Sequence, residues 1–365
     1  MKQRPFVRLL MLLSLLVAPV AVASEVGTWH GVNIGPEITD AGLDRIHAIG
    51  FNVVRLNMNR QPLMQRQAPY DFDEAAFARM KAIVDACHAR GLKVIIDPHA
   101  TPGSAKATTT LGSDPIWRDR SLQGQMAKLW GRISKDYAGN PTVVGYDLLN
   151  EPTIPGGRFA GGFGDGMSWN ELAANLVHEI RRNDRKTTII VESYAERGRS
   201  DGRNRFDSLQ TMQLPSDGNI ALSIHAYLPK QFTGQGLRDN PAGVQYPGVI
   251  DGQRWDRATL ESRLHPVQEF AAAHHVDVFV GEFSASRFGD PASTNRYLGD
   301  LVSIFNGFGW GWAYHSYGAA YAWSLEDASP PPGKPLPRAS AGGSATAVPS
   351  RVDLFRNILK AAPAR

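Results

Sequence analysis

The chain has 365 residues, 39 Lys and Arg against 35 Asp and Glu, and a formal net charge of +4. This small positive excess comes without Lys/Arg clusters interleaved with aromatic residues, so the sequence indicates no nucleic-acid-binding surface. A single cysteine, Cys87, excludes an intrachain disulfide, and its place in an amphipathic helical pattern predicts a buried free thiol. A chain of this length can bury a core that is stable without disulfides.

The first segment has the three parts of a secretory signal peptide. Lys2, Arg4 and Arg8 form a basic start, residues 9–20 are apolar, and Ala21-Val22-Ala23 is a small-residue cleavage site. The apolar run is shorter than the ~20 residues that a membrane-spanning helix needs, and Pro19 interrupts it. We therefore expect residues 1–23 to be removed, which lowers the formal net charge to about +1. The mature protein, residues 24–365, is then expected to be periplasmic or extracellular and free of the membrane.

After the leader, short β-branched runs alternate with longer amphipathic runs. Strands are predicted at 28–34, 52–57, 93–97, 143–149, 187–192, 220–226, 276–281 and 311–315. Helices are predicted at 40–49, 73–90, 122–137, 169–182, 257–274, 294–308 and 352–359, the third of them capped by Ser121. Apolar strands alternating with helices require parallel pairing with both faces covered. Eight such units, without a glycine-rich phosphate turn after the first strand, predict an α/β fold, a single-domain (β/α)₈ TIM barrel.

Four segments depart from this alternation. The connection 195–218 is the weakest unit and is expected to hold only a short helix. Residues 156–166 are rich in Gly and Phe and predict a rim loop, and residues 228–255 are expected to shape the cleft. Residues 330–349 are rich in Pro, Ala, Gly and Ser, and therefore predict an exposed excursion before the last helix.

Polar side chains recur where the predicted strands end. In a (β/α)₈ barrel, the C-terminal strand ends surround one mouth. The residues in these positions are Asn33, Arg55, His99, Asn150, Glu151, Glu192, His225, Tyr227, Glu282 and His315. Glu151 and Glu282 each follow an apolar strand, and two carboxylates on one scaffold indicate acid and nucleophile chemistry at a glycosidic bond.

An ordered series of short motifs carries a family resemblance from the first predicted strand to the seventh. The motifs are Gly31-Val32-Asn33, Val54-Arg55-Leu56, Asp97-Pro98-His99, Leu149-Asn150-Glu151-Pro152, His225-Ala226-Tyr227 and Gly281-Glu282-Phe283. The set resembles glycoside hydrolase family 5, the cellulase and mannanase group of retaining (β/α)₈ glycosidases.

The resemblance implies a role for each matched residue. Glu151 is implied to be the acid/base, and Glu282 the nucleophile that a neighbouring Arg55 keeps ionised. Tyr227 is implied to aim Glu282, and His225 to contact Glu151. The remaining two matches are implied to bind substrate: Asn150 holds the sugar 2-hydroxyl and His99 reaches another hydroxyl.

The sequence departs from the family pattern at the eighth strand. Family members usually carry a Trp platform there, and His315 stands near that position. Trp312, Tyr317 or Trp323 can substitute, and we expect Trp323 to do so. Trp29, Trp117 and Trp169 are either further sugar platforms or packing residues, and Glu192 is either a subsite ligand or a structural ion-pair partner.

These observations predict a retaining β-glycoside hydrolase, cellulase-like, that cleaves a β-1,4-glucan with two glutamates and without a metal or other cofactor. Its partner is expected to be a polysaccharide or oligosaccharide, and the protein a monomer. Alternatives are a β-mannanase or a bacterial exopolysaccharide hydrolase of the same family, transglycosylation, and a non-catalytic glycan-binding barrel. A metal-dependent hydrolase using Asp97, His99, His225 and Glu282 is a further alternative.

Overall fold

The computed structural model describes residues 25–104, 114–155, 164–196, 205–237, 240–318, 320–326 and 348–361. Eight parallel strands close into a barrel: β1 (His30–Ile34), β2 (Val53–Asn57), β3 (Lys93–Asp97), β4 (Val143–Asp147), β5 (Thr188–Glu192), β6 (Ile220–Ala226), β7 (Asp277–Phe283) and β8 (Gly311–Tyr314). Each strand pairs with the next in sequence, and β8 pairs with β1. The prediction of a (β/α)₈ barrel is confirmed.

Helices cover the outside of the barrel: α1 (Asp40–Ile49), α2 (Glu74–His88), α3 (Arg120–Tyr137), α4 (Trp169–Arg181), α5 (Arg257–His274), α6 (Pro291–Phe308) and α7 (Arg351–Ala361). Between β5 and β6, the described residues contain the two-residue strand Ala195–Glu196, which pairs with Thr153–Ile154, and the short 3₁₀ helix Arg205–Gln210. The sequence predicted this weak unit. Over the described ranges, no helix is both long and apolar enough to cross a membrane.

Two helices begin earlier than the sequence pattern indicated. The prediction that Ser121 caps α3 is wrong, because the Asp119 side chain accepts hydrogen bonds from the N–H groups of Ser121 and Leu122. Helix α6 begins at Pro291 and is capped by Asp290. In both cases an aspartate accepts the unpaired N–H groups of the first turn, before the apolar pattern begins.

Strand β7 is longer than predicted, and this places Glu282 within the strand. Its pairing with β6 shifts register between Val280 and Glu282, so that Glu282 stands beside His225. Gly281 lies at the shift, where a Cβ atom would come 2.9 Å from Ser223 Oγ and 3.1 Å from His225 Nε2. The close packing of His225 against β7 therefore requires glycine at this position.

The barrel interior has an apolar layer at one end and a polar layer at the other. The apolar layer is a cluster formed by Val26, Trp29, Val53, Ile95, Ile190, Ala221, Phe279 and Ala313. A larger apolar cluster lies between the strands and the helices and includes Cys87, whose thiol pKa is raised to about 12 by burial. The prediction of a buried free thiol is confirmed. The polar layer, at the C-terminal strand ends, is the candidate site.

The predicted loops are described to different extents. Residues 156–163 of the rim loop and 330–347 of the excursion lie outside the described residues, as do the signal peptide and its cleavage site. The segment after β6 contains the short helix Lys230–Thr233 and a hairpin formed by Gly248–Ile250 and Gln253–Trp255.

Candidate active site

Arg55 lies at the centre of the polar layer, on β2, with its side chain fully buried. Its guanidinium contacts four carboxylates: Asp147 Oδ2 at 2.8 Å, Glu192 Oε1 at 3.0 Å, Asp97 Oδ2 at 3.1 Å and Glu282 Oε1 at 3.1 Å. Burial alone would lower the pKa of Arg55, but the four carboxylates outweigh burial and raise it well above its ordinary value. Arg55 is therefore a fixed positive charge beneath the site.

Asp147 lies at the end of β4 and is one of the four acidic side chains around Arg55. Burial raises its pKa well above the ordinary value, and the nearby Glu192 and Asp97 add to that effect, while Arg55 opposes it. Asp147 therefore takes up a proton more readily than an exposed aspartate. This limits the negative charge that Arg55 must offset in the interior.

Two asparagines complete the shell around the guanidinium. Arg55 donates to Asn33 Oδ1 at 3.0 Å and to Asn150 Oδ1 at 2.9 Å. The amide of Asn33 in turn donates to the Gly281 carbonyl at 2.8 Å, which links β1 to the residue before Glu282. Because each side chain is held by a charge-assisted or backbone contact, the layer has little freedom to rearrange.

Glu282 lies on β7 and receives hydrogen bonds at both carboxylate oxygens. Arg55 donates to Oε1 at 3.1 Å, and the Tyr227 hydroxyl donates to Oε2 at 2.8 Å. Burial would raise the pKa of Glu282, but the interactions with His315 in its charged form, with His225 and with Arg55 outweigh burial, and the pKa lies well below its ordinary value. The geometry therefore presents an ionised carboxylate.

His225, at the end of β6, lies between three acidic side chains. Its Nδ1 is 3.1 Å from Glu151 Oε1 and 3.7 Å from Glu282 Oε2, and its Nε2 is 3.2 Å from Glu192 Oε1. Burial opposes protonation, but Glu192, Glu282 and Glu151 outweigh it and raise the pKa of His225 to about 10. His225 is therefore an imidazolium at neutral pH, with a proton on each ring nitrogen.

Glu151 follows β4 and is the most open of these acidic groups, with 19% of its side chain exposed. Its backbone has φ of 47°, in the left-handed region, and its N–H donates to Glu192 Oε2 at 2.8 Å. A carboxylate oxygen of Glu151 lies within 4.8 Å of one of Glu282. Inverting glycosidases separate their two carboxyl groups by roughly 6.5–9.5 Å, and the smaller separation here is that of a retaining pair.

His99 lies at the rim of the same layer, with φ of 63°. Its Nδ1 is 2.6 Å from Asp97 Oδ2, and its Nε2 is 3.4 Å from the Asn57 amide nitrogen. Asp97 thus connects His99 to Arg55. The structure therefore places Arg55, His99, Asn150, Glu151, His225, Tyr227 and Glu282 at one mouth, as the sequence predicted.

The aromatic residues divide into buried and accessible groups. Trp29, Trp117, Trp169 and Trp312 are all buried, which supports the packing alternative for the first three and argues against Trp312 as the substitute platform. Trp312 faces the helices, where it contacts Phe51 and Phe355, because successive strand residues point to opposite faces.

Trp323 is partly exposed and lies beside the site. Its ring centroid is 6.2 Å from that of His315, with the planes at 60°. Its indole nitrogen donates to the Thr233 carbonyl at 3.0 Å, which fixes the ring. His315 Nδ1 is 3.6 Å from Glu282 Oε2, and burial lowers the pKa of His315. Together His315 and Trp323 form the wall of the mouth next to Glu282.

The four side chains of the metal alternative do not converge. Within the described segments, the acidic and imidazole side chains that form a set of three with ligand atoms all within 4.8 Å of one another are Glu151, His225 and Glu282. Asp97 and His99 are outside this group and contact each other instead.

The strand-end pattern does not identify Asp147, although a charged residue inside an otherwise apolar strand is a usable signal. The sequence leaves Glu192 open as a subsite ligand or an ion-pair partner. The structure connects it to Arg55, His225 and the Glu151 backbone at once.

The chain is similar to known proteins in sequence and in fold. Cellodextrinase A of Ruminococcus flavefaciens is 26% identical over 60% of this chain and 55% of that protein, so the match spans little more than half its length. Endoglucanase C of Acetivibrio thermocellus is 22% identical over 77% of this chain and 84% of that protein. A hyperthermophilic endo-β-1,4-glucanase solved in complex with substrate has a TM-score of 0.66 and 23% identity, covering 82% of this chain and 92% of that one.

The family model described as cellulase (glycosyl hydrolase family 5) matches residues 19–320, most of the chain. The match covers all eight strands and both strand-end glutamates. The chain belongs to glycosyl hydrolase family 5 and is a glycosidase that hydrolyses O-glycosyl bonds.

Proposed function

We propose that this protein is a retaining endo-acting hydrolase of a β-1,4-glucan, in which Glu282 is the nucleophile and Glu151 the acid/base. The observation that carries the proposal is the pairing of an ionised Glu282 with a more accessible Glu151, their oxygens within 4.8 Å. This spacing leaves no room for a water molecule between the carboxylates and the sugar, so a direct displacement by carboxylate is favoured.

In the first step, a carboxylate oxygen of Glu282 attacks the anomeric carbon while the bond from that carbon to the leaving oxygen breaks. The proton of Glu151 passes to the leaving oxygen, so the aglycone departs as an alcohol. The product is a glycosyl ester on Glu282. In the second step a water molecule attacks the same carbon, Glu151 takes its proton, and Glu282 leaves as a carboxylate.

The surrounding residues supply the charge that each step requires. Arg55 and Tyr227 hold the two oxygens of Glu282, so its attacking direction is fixed before substrate binds. Asn150 is held by Arg55 and is suited to the sugar 2-hydroxyl, a contact that strengthens as the oxocarbenium-like transition state forms. His99 and Trp323 are placed to bind the same sugar, through a hydroxyl and through its CH face.

A panel of soluble β-1,4-glucan, β-mannan and xylan, with released reducing ends counted, tests the proposal. We expect activity on β-1,4-glucan that falls by orders of magnitude in Glu282→Gln and Glu151→Gln while the far-UV spectrum is unchanged. Activity on β-mannan alone would mean that the substrate is β-mannan, the alternative, and not β-1,4-glucan. If the folded protein releases no reducing ends from any of these polymers, a bacterial exopolysaccharide substrate or a glycan-binding barrel would be favoured.

Export through residues 1–23 is part of the proposal and rests on the sequence of that segment. Expression of the full chain, followed by N-terminal sequencing of the secreted or periplasmic product, tests it. A mature terminus near Ser24 supports export, and retention of Met1 contradicts it.

A further inference from the structure

Glu192 makes three contacts with the catalytic layer from a position that is 1% exposed. Its Oε2 accepts the Glu151 backbone N–H at 2.8 Å. Its Oε1 accepts from Arg55 Nη2 at 3.0 Å and lies 3.2 Å from His225 Nε2. A subsite ligand would be open to the cleft, and a purely structural ion pair would not touch both the backbone and the histidine partner of the acid/base.

We propose that Glu192 is the positioning residue of the acid/base: it holds Glu151 in place and makes His225 a donor toward Glu151. The inference rests on the proposed function and deepens it. It assigns the direction in which the Glu151 proton points.

The backbone contact fixes where the side chain of Glu151 begins. Glu151 has φ of 47°, a conformation that a non-glycine residue adopts only when its surroundings impose it. The carboxylate of Glu192 supplies a charge-assisted acceptor for the N–H of that same residue. The left-handed conformation at the acid/base is therefore tied to β5.

The contact with His225 decides which oxygen of Glu151 carries the proton. With Glu192 facing Nε2, both ring nitrogens are protonated, and Nδ1 donates to Glu151 Oε1 at 3.1 Å. An oxygen that accepts from Nδ1 does not itself hold the acidic proton, which then resides on Oε2. Without the charge of Glu192, His225 becomes neutral more readily, and its Nδ1 can then accept a hydrogen bond from protonated Glu151 instead of donating one, which turns the acidic proton away from the substrate.

The charges that face His225 come from three elements. They are Glu192 on β5, Glu151 after β4, and Glu282 on β7, whose Oε2 is 3.7 Å from Nδ1. Burial lowers the pKa of His225. The attractive charges, with Glu192 first among them, outweigh burial and raise this pKa to about 10. Removal of the Glu192 charge therefore lowers the pKa of His225.

The test compares Glu192→Gln with wild type on two aryl β-cellobiosides. A phenyl leaving group needs a proton from Glu151, whereas a 2,4-dinitrophenolate departs without one. We expect kcat/KM for phenyl β-cellobioside to fall by about 10²-fold, the range of general acid catalysis, with little change for the dinitrophenyl substrate. The alkaline limb of the phenyl profile is expected to move to lower pH.

Asp147→Asn is the matched control, because Asp147 Oδ2 accepts a hydrogen bond from Nε of the same Arg55 at 2.8 Å. We expect it to change both substrates by the same factor. Equal loss on both substrates in Glu192→Gln would overturn the proposal and leave Glu192 as a structural partner of Arg55. Absence of activity on all glycosides in wild type would instead count against the proposed function.

A second measurement on the wild-type protein needs no substitution at Glu192. In ¹⁵N-histidine-labelled protein, the ring signals of His225, assigned by their loss in His225→Gln, report the protonation of both nitrogens. Two protonated nitrogens at neutral pH support the proposal, and a neutral ring overturns it.

Discussion

Arg55 Nη1 lies 3.1 Å from Glu282 Oε1, and this contact crosses the barrel interior. The two residues belong to β2 and β7, which are not neighbours in the sheet because β1 and β8 stand between them. A buried guanidinium thus reaches the proposed nucleophile from the far side of the layer. Closure of the barrel brings Arg55 to Glu282, and this contact helps to keep Glu282 ionised.

Arg55→Lys is expected to reduce both stability and turnover. Lysine carries one point charge and cannot serve the separate acceptors on Asp147, Asn150 and Glu282. Breaking a buried ion pair costs about 3–5 kcal/mol, so we expect a loss of that order in the free energy of unfolding. Urea denaturation monitored by tryptophan fluorescence measures it.

Arg182→Lys provides the control for this substitution. Arg182 pairs with Glu179 at the end of α4, and 67% of the Arg182 side chain is exposed. Exposed pairs contribute about 0–1 kcal/mol, so this variant is expected to unfold near the wild-type midpoint. Equal midpoints for Arg55→Lys and Arg182→Lys would contradict the central role given to Arg55.

Tyr227→Phe is expected to lower kcat with a small effect on folding. The substitution removes the hydroxyl that donates to Glu282 Oε2 at 2.8 Å. A hydrogen bond to a charged group contributes about 1.5–3 kcal/mol, which corresponds to a loss of roughly 10- to 10²-fold if the contact is kept in the transition state. Initial rates on aryl β-cellobiosides measure the loss.

Tyr146→Phe tests whether removal of any buried hydroxyl has this effect. Tyr146 donates to Oδ2 of Asp184, in the connection between α4 and β5, at 2.9 Å. We expect this variant to be less stable and to keep its kcat. A kcat for Tyr227→Phe as high as that of Tyr146→Phe would show that Tyr227 does not aim Glu282.

Trp323→Ala is expected to raise KM several-fold, because it removes the partly exposed ring that faces His315 across 6.2 Å. Trp323→Phe keeps an aromatic face but loses the hydrogen bond to the Thr233 carbonyl, and it should recover part of the binding. Steady-state kinetics on cello-oligosaccharides separate KM from kcat. Unchanged KM in the alanine variant would remove Trp323 as the sugar platform.

Alkaline pH is expected to weaken the folded state through His225. Its pKa is about 10 in the folded protein and ordinarily about 6.5, so pairing with the acids stabilises the fold fully below about pH 6.5. That contribution declines as the pH rises and is lost above the folded pKa. The difference in free energy of unfolding between wild type and His225→Gln should therefore shrink from neutral pH to about pH 10. A difference that stays constant over this interval would mean that His225 is not an imidazolium in the fold.

Acid pH is expected to slow the reaction through His315 and not through Glu282. The pKa of Glu282 is well below its ordinary value, so this carboxylate stays ionised in mild acid. Burial lowers the pKa of His315, which is neutral near pH 7 and becomes charged on acidification, with Nδ1 3.6 Å from Glu282 Oε2. The resulting ion pair holds the carboxylate and weakens its attack.

His315→Gln should therefore move the acid limb of kcat/KM to lower pH. His265→Gln, at an exposed position on α5, is the control and should leave the profile unchanged. If the acid limb stays at the same pH in His315→Gln, another titrating group must cause it.

The sequence was sufficient for the topology because each buried parallel strand is a continuous apolar run followed by an amphipathic helix. It also placed Glu151, Glu282 and Arg55 at one mouth, since strand ends meet there. It favoured Trp323 as the platform but could not exclude Trp312, because local pattern does not tell which face of a short strand meets the helices. The contact of Glu192 with His225 joins the neighbouring strands β5 and β6, and the placement of His225 beside Glu282 depends on the register shift at Gly281; neither leaves a local signal in the sequence.

Trapping of the covalent intermediate tests the central claim most directly. Wild-type protein is incubated with 2,4-dinitrophenyl 2-deoxy-2-fluoro-β-cellobioside, digested, and analysed by mass spectrometry. We expect one glycosyl ester, on the peptide that contains Glu282, and none in Glu282→Gln. An ester on another residue, or turnover of cello-oligosaccharides with inversion at the anomeric carbon, would contradict the assignment of Glu282 as the nucleophile of a retaining enzyme.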